Sequence, residues 1–272
     1  MLSASNDRAP ASGNADTFTD ISHFEHVPRR YYGRYLASAV ILAIVVYIVV
    51  AFARGQIEWA VVARFLTAKS ILTGLVNTIV MTILAMALGI VLGVIVATLR
   101  VAPSRALRRA GTAYVEFLRN IPLLVQLFFL FFALPSIGIR LDAFVCGVLA
   151  LGVYTSAFVA EAIRSGIAAV PSGQLEAGLS SGMGYATAMR LIVLPQAIAK
   201  TIPPLGNTTL NLIKNSSLVS TVSVLDLLGT ANLLGARSFQ YVPMFVGAAI
   251  CYLILTLPTA FAVNLLEKRY AR

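Results

Sequence analysis

Of 272 residues, 58% are hydrophobic and only 12% charged, against roughly a quarter charged in soluble domains, and mean hydropathy is +0.85. This excludes a soluble globular domain and points to a polytopic membrane protein. The net charge of +10 is carried by residues spread along the loops without clustered aromatics, so no nucleic-acid partner follows; the positive-inside bias of membrane loops explains it.

Residues 1–30 are rich in Ser, Ala, Asn, Asp and Thr without periodicity, and with the run-up to the first span the stretch 1–35 reads as a disordered cytoplasmic tail. His23 and His26 make a His-x-x-His pair there, and such an isolated pair is more often solvated than ligating. No secretory signal is expected, since the first apolar run begins near residue 36 without a small-residue cleavage site. Arg29, Arg30 and Arg34 precede a first span at about 36–53, and an amphipathic connector at 54–70 follows, with Trp59 and Phe65 able to lie at the interface. The second span, about 72–98, carries Thr78, Thr82, Ala85, Gly89 and Gly93 along one face. That stripe of small residues lets another helix approach closely.

A basic loop follows, Arg100 to Arg109. The third span runs from Pro122 to about 135, with Glu116 and Arg119 at its cytoplasmic edge, and Pro122 is tolerable in a first helical turn. The fourth span, about 142–163, ends with Glu161 and Arg164, spaced i, i+3 so that they can pair. A structural ion pair is the first reading of these residues, a substrate contact the second. Cys146 and Cys251 lie in apolar runs with no histidine nearby and read as small buried hydrophobes, so no metal ligand set or disulfide framework is expected.

Between the fourth and fifth spans the chain turns polar. A short helix is expected over 172–180, a break at Gly182 and Gly184 where positive φ costs little, and a second helix over 185–193 stopped by Pro195. Leu179, Met183 and Tyr185 stand near the break, so this elbow could enter a partner's groove. The fifth span is expected to open at Pro203-Pro204 and to carry Asn207, Asn211, Lys214, Ser217 and Thr221 on one face, within an arc of roughly 120°. Lys214 falls ~16 Å along the helix axis from Pro203, near mid-membrane. A charge there must meet water, protein or a partner, so the stripe is expected to face inward. Lys214 is either neutralised within the scaffold or faces a path and attracts a cargo carboxylate. Asp226 ends the helix or serves an outer gate. An outer loop at about 228–241 and a sixth span at about 243–265 complete the chain, which ends in Glu267, Lys268, Arg269 and Arg272.

With both termini inside, fifteen of the twenty-one Lys and Arg residues fall on inner segments and five on outer ones, with Lys214 in the membrane. That asymmetry sets the orientation and places the elbow in the cytoplasm. The chain lacks a Gly-x-x-x-x-Gly-Lys-Ser/Thr loop and any Ser/His/Asp or Cys/His set, so enzyme chemistry is unsupported.

The elbow reads Glu176-Ala177-Gly178, three residues, Gly182-Met183, eight residues, Ile192-Val-Leu194-Pro195. It resembles the EAA loop of bacterial ABC-importer permeases, with Gly178 where that pattern has Ala. The Pro122-Leu-Leu-x-Gln126 run and Asn211-Leu-Ile-Lys214-Asn-Ser-Ser217 resemble the polar amino acid permeases of that family. The resemblance covers about 72–268 and implies a five-span permease core. Span 36–53 with its connector to 71 would be an addition, giving an all-α protein of six transmembrane helices. It implies a coupling loop at 172–196 docking on separate ABC ATPase subunits, which bind the ATP and Mg, while this chain binds no cofactor. It further implies a second permease copy or sister permease, a periplasmic or lipid-anchored amino-acid-binding protein, and the bacterial inner membrane. Two alternatives stay open: an ion-gradient-driven secondary transporter using Lys214 and Glu161, although no internal repeat is visible, and a structural membrane subunit.

Overall fold

The computed structural model describes residues 32–55 and 57–270. The tail, with His23 and His26, lies outside the described residues except for its last four positions. Two compact units are distinguished, Met1–Ala53 and Arg54–Arg272. Helix α1 (Tyr32–Gly55) carries the described part of the first, and its apolar stretch is Tyr35–Ala51.

The second unit is helical throughout its described elements: α2 (Trp59–Thr67), α3 (Lys69–Val101), α4 (Arg105–Asn120), α5 (Leu123–Phe128), α6 (Ala143–Ala168), α7 (Ser172–Ser180), α8 (Tyr185–Ala188), α9 (Leu194–Asn215), α10 (Leu227–Ser238) and α11 (Tyr241–Tyr270). Among the described residues α3, α6 and α11 are each long and apolar enough to cross a membrane. Two bent pairs add a crossing each if counted as one span: 105–120 with 123–137, bent by 100°, and 185–222 with 227–238, bent by 45°.

Several boundaries follow from proline. Ala102 and Ile121 each precede a proline and are extended, which ends α3 and α4. Three other prolines do not act as the sequence suggests. Pro195 does not stop the helix that begins at Tyr185: a π-helical turn at Met189–Val193 carries it into α9, and the Leu194 N–H donates to the Met189 carbonyl. The wider turn gives room to the proline ring, which would otherwise press on the carbonyl four residues back. Likewise Pro203 and Pro204 do not open a span but lie inside α9. Membrane helices tolerate such prolines where neighbouring groups or water re-satisfy the freed carbonyls, and here those carbonyls lie beside the exposed Lys200.

The core is organised by the seam between α3 and α6. Thr78, Thr82, Ala85, Gly89 and Gly93 are all buried, as the small-residue stripe predicts. A Cβ at Gly93 would stand 2.6 Å from Val159 Cβ on α6, and one at Gly89 would stand 2.9 Å from Thr155 Cγ2. Met81, Leu127, Leu151, Leu212, Val219 and Val222 fill the space among α3, α5, α6 and the continuation of α9. Phe65, expected at the interface, is instead 3% exposed and packs with Ile71, Leu227 and Met244. The expected outer loop at 228–241 is largely helix, α10. Its N-terminus is capped by Asp226, whose Oδ1 accepts from the Gly229 N–H at 2.8 Å. Asp226 therefore begins a helix rather than ending one.

Candidate functional site

Helix α7 starts after Pro171 and is closed at its other end by a backbone motif. The Gly182 N–H donates to the Leu179 carbonyl and the Met183 N–H to the Gly178 carbonyl, with Gly182 at φ +82°. This is the left-handed closure that glycine adopts without strain. Of the two glycines expected to break the elbow, only Gly182 uses positive φ; Gly184 has φ −68° and stands at the start of α8.

The elbow has an inner and an outer face. Gly178 is buried, and a Cβ there would meet Ile192 Cδ1 at 2.8 Å and Ala188 Cβ at 3.0 Å. The glycine thus lets α7 lie close on the π turn. Leu175 and Met189 pack around Val170, Val193 and Ala197, and the Gln196 amide donates to Gln174 Oε1 at 3.1 Å, tying the start of α7 to α9. Glu176, Ala177, Leu179, Tyr185, Leu194 and Pro195 are exposed, while Met183 and Ile192 are half-buried. A carboxylate with no ion pair among the described residues, beside exposed apolar side chains, is a surface suited to a complementary groove. Pushing on α7 would reach α6 through Pro171 and α9 through the π turn.

Above the elbow, α3 and α6 are joined by an ion cluster centred on Glu161. Its Oε2 accepts from Arg100 at 2.6 Å and its Oε1 from Arg164 at 2.5 Å. Arg119 stands 3.9 Å away and places its guanidinium 5.3 Å from the Phe158 ring centroid. The i, i+3 pairing of Glu161 with Arg164 is therefore present. Arg100 is a further partner that sequence spacing did not reveal, because it arrives from another helix. Glu116 is exposed and makes no ion pair among the described residues.

The polar stripe of α9 does not face this chain's own core. Asn207, Asn211, Lys214 and Thr221 are exposed and Ser217 is half-buried. The face turned into the bundle is the opposite one, with Leu212, Ile213, Ser216 and Val219. Nor does the stripe converge on one cavity. Asn211 lines a space of about 170 Å³ with Tyr154, Phe158, Thr208 and Asn215, on the α6 side. Lys214 and Ser217 line another of about 510 Å³ with Tyr252 and Thr256, on the α11 side. Lys214 makes no ion pair among the described residues. Tyr154 and Phe158, whose rings stand 4.8 Å apart, were missed as candidates, although their i, i+4 spacing marks one face of α6.

A family model described as binding-protein-dependent transport system inner membrane component matches residues 89–272. A probable glutamine ABC transporter permease protein of Bacillus subtilis (strain 168), GlnM, is 51% identical over 174 residues, which is 64% of this chain and 81% of the relative. The L-cystine transport system permease protein TcyB of the same organism is 38% identical over 177 residues, 65% and 76% of the two chains. Among solved structures, an amino acid ABC transporter crystallised with histidines is similar with a TM-score of 0.72 at 36% identity, over 74% of this chain and 94% of that one. The MetNI methionine ABC transporter, at 22% identity and a TM-score of 0.65, shares the fold.

Proposed function

Because the chain belongs to the inner membrane components of binding-protein-dependent transport systems, and is a permease subunit of an ABC importer, we propose that its cargo is a polar amino acid and that its elbow couples transport to ATP hydrolysis. The observation that carries the coupling role is the two-faced build of the elbow. Gly178 and the Gln174–Gln196 hydrogen bond fix it to α9, while Glu176 and its apolar neighbours are left exposed. Such a rigid knob transmits a displacement instead of absorbing it.

Closure of two partner ATPase subunits, which hold the ATP and Mg, would press on Glu176, Ala177, Gly182 and Met183 and tilt α6 and α9 through Ile192, Leu194 and Pro195. That movement would shift the permease between two states biased by nucleotide. The exposed stripe Asn207, Asn211, Lys214, Ser217 and Thr221 would then face a second permease copy or a sister permease and line the path between them. An extracytoplasmic binding protein would deliver the cargo, whose carboxylate Lys214 would attract. The elbow would lie in the cytoplasm with both termini, as the fifteen-to-five distribution of Lys and Arg supports. Glu161, Arg100, Arg164 and Arg119 would hold the inner ends of α3, α4 and α6 together during the movement. The two arginines already on Glu161 leave the ion-driven reading, which needs that carboxylate free, without a supporting observation.

The test is purification of the tagged chain from its own cells in mild detergent, with mass spectrometry of what accompanies it, beside a Glu176→Lys/Gly182→Val variant. Valine resists the left-handed conformation of position 182, a strain of about 1–3 kcal/mol. An ATPase subunit is expected with the wild type and not with the variant. Equal recovery from both would remove the elbow from the coupling interface.

A further inference from the structure

The end of α3 and one face of α4 form a basic cavity for which neither the elbow nor the polar stripe has a use. It has a volume of about 630 Å³ and is lined by Arg100, Arg105, Arg108, Arg109, Thr112 and Glu116. Arg105, Arg108/Arg109, Thr112 and Glu116 follow one another three or four residues apart, so they share one face of α4. The opposite face, with Gly111, Val115 and Leu118, is buried. Gly111 lets α4 lie directly on the end of α3: a Cβ there would stand 2.9 Å from Arg100 Cγ.

The charge balance of the cavity is positive. Arg105, Arg108 and Arg109 make no ion pair among the described residues, and Glu161 is the carboxylate shared by Arg100, Arg164 and Arg119. The Arg100 side chain is 10% exposed, and its Nε is buried with no hydrogen-bond partner. Glu116 is the one acidic group of the lining, and it stands two helical turns from Arg109, ~10 Å along the axis. Arg108 is partly engaged, donating to the Ala102 carbonyl at 3.1 Å. An anion with several acceptor oxygens would meet Arg105, Arg109 and Thr112 on one side and the edge of Arg100 on another. Guanidinium forks match the geometry of phosphate.

The position of α4 narrows the source of that phosphate. The helix turns by 100° into the apolar stretch 123–137, so it lies across that stretch, not along it. Beside its basic face it exposes Phe117 and Leu107, 65% and 46% accessible. A helix with a cationic face and exposed apolar side chains lies at the boundary between headgroups and acyl chains. Basic pockets at the inner ends of spans hold lipid phosphates there.

We propose that this cavity is a binding site for the phosphate of an anionic phospholipid, with Arg105, Arg109 and Thr112 as its principal contacts and Arg100 as its floor. The site anchors α4 at the headgroup level beside the Glu161 cluster, and its lining shares no residue with the elbow or the polar stripe.

The full-length chain, purified in detergent, would be titrated with phosphatidylglycerol or phosphatidylcholine and its bound lipids counted by native mass spectrometry. The wild type is compared with Arg105→Gln/Arg109→Gln, which spares the structurally engaged Arg108. The wild type should retain phosphatidylglycerol at least tenfold better than the variant, since either of the two lost charge-assisted contacts alone is worth about that, and phosphatidylcholine equally weakly in both. Retention of phosphatidylglycerol by the variant at the wild-type level, or equal retention of the two lipids by the wild type, would overturn the site. Displacement of phosphatidylglycerol by added inorganic phosphate would assign the cavity to soluble phosphate and overturn the lipid assignment. Should the double variant not survive extraction, Thr112→Val with the same readout replaces it, and unchanged retention there would likewise count against the site. Lipid retention does not depend on transport, so this outcome and that of the ATPase purification are separable.

Discussion

The α3–α6 seam and the outer face of α9 both run through the middle of the molecule and both carry small polar residues, yet one is closed and the other open. On α3, the Thr78 hydroxyl donates to the Gly74 carbonyl and accepts from the Leu227 N–H, and Thr82 donates to the Thr78 carbonyl. Both hydroxyls are answered within the chain, and the glycines bring the backbones together. On α9 and the 3-10 turn that continues it, Asn207, Asn211, Lys214 and Thr221 are exposed. At bilayer depth exposed amides and an ammonium carry a cost of a few kcal/mol unless something else meets them. The seam is therefore scaffold, and the stripe is the exposed face for which we propose a second subunit or an aqueous path.

The seam can be broken by volume alone, and this is the largest effect on stability we expect. Gly93→Leu forces a side chain into the Val159 contact, where a single Cβ already comes to 2.6 Å. Overpacking of this kind costs about 3 kcal/mol. Thermal unfolding of the purified chain in detergent should show a large fall in midpoint. An unchanged midpoint would mean that α3 and α6 do not touch at that depth.

A smaller loss is expected at the other end of α3, where Asp226 ties three elements. It caps α10, accepts from the Tyr252 hydroxyl at 3.3 Å, and lies beside the Leu227 N–H that meets Thr78. Asp226→Ala should cost about 2 kcal/mol, one part for the cap and one for a buried hydroxyl left without its acceptor. Asp226→Asn keeps an oxygen for the Gly229 N–H and should lose less than half as much. Equal losses for the two variants would show that the charge itself, and not the cap, is what the fold uses.

These two positions also mark what the sequence discloses and what it hides. The small-residue stripe was legible because helical periodicity places Thr78, Ala85, Gly89 and Gly93 on one line whatever they pack against. The helix 172–180 was legible from the glycines after it. The role of Asp226 was not, since a carboxylate after a span gives no sign of which helix it caps. Proline was misleading twice, at Pro195 and at Pro203-Pro204, because a π turn accommodates the first and the interior of α9, with its freed carbonyls beside the exposed Lys200, tolerates the other two. The stripe of α9 was legible as a line of residues but not in its direction. Periodicity fixes which residues share a face, and only packing decides whether that face meets its own chain or another. The partnership of Arg100 with Glu161, sixty-one positions apart, is of the same kind.

The stripe should respond in the opposite way to the seam, and that contrast tests the division most sharply. Asn211→Leu/Lys214→Met replaces two exposed polar side chains with apolar ones of similar size. Neither wild-type side chain is held by an ion pair among the described residues. The isolated chain should therefore unfold within ~0.5 kcal/mol of the wild type, as surface substitutions do. Uptake of the cargo by cells or by the reconstituted transporter should nevertheless fall about tenfold, the worth of one charge-assisted hydrogen bond. Stability and uptake falling together would place Lys214 in the scaffold, beside the seam residues. Stability held with uptake lost would place it on the path, where the polar residues of α9 serve what passes by rather than what stays in place.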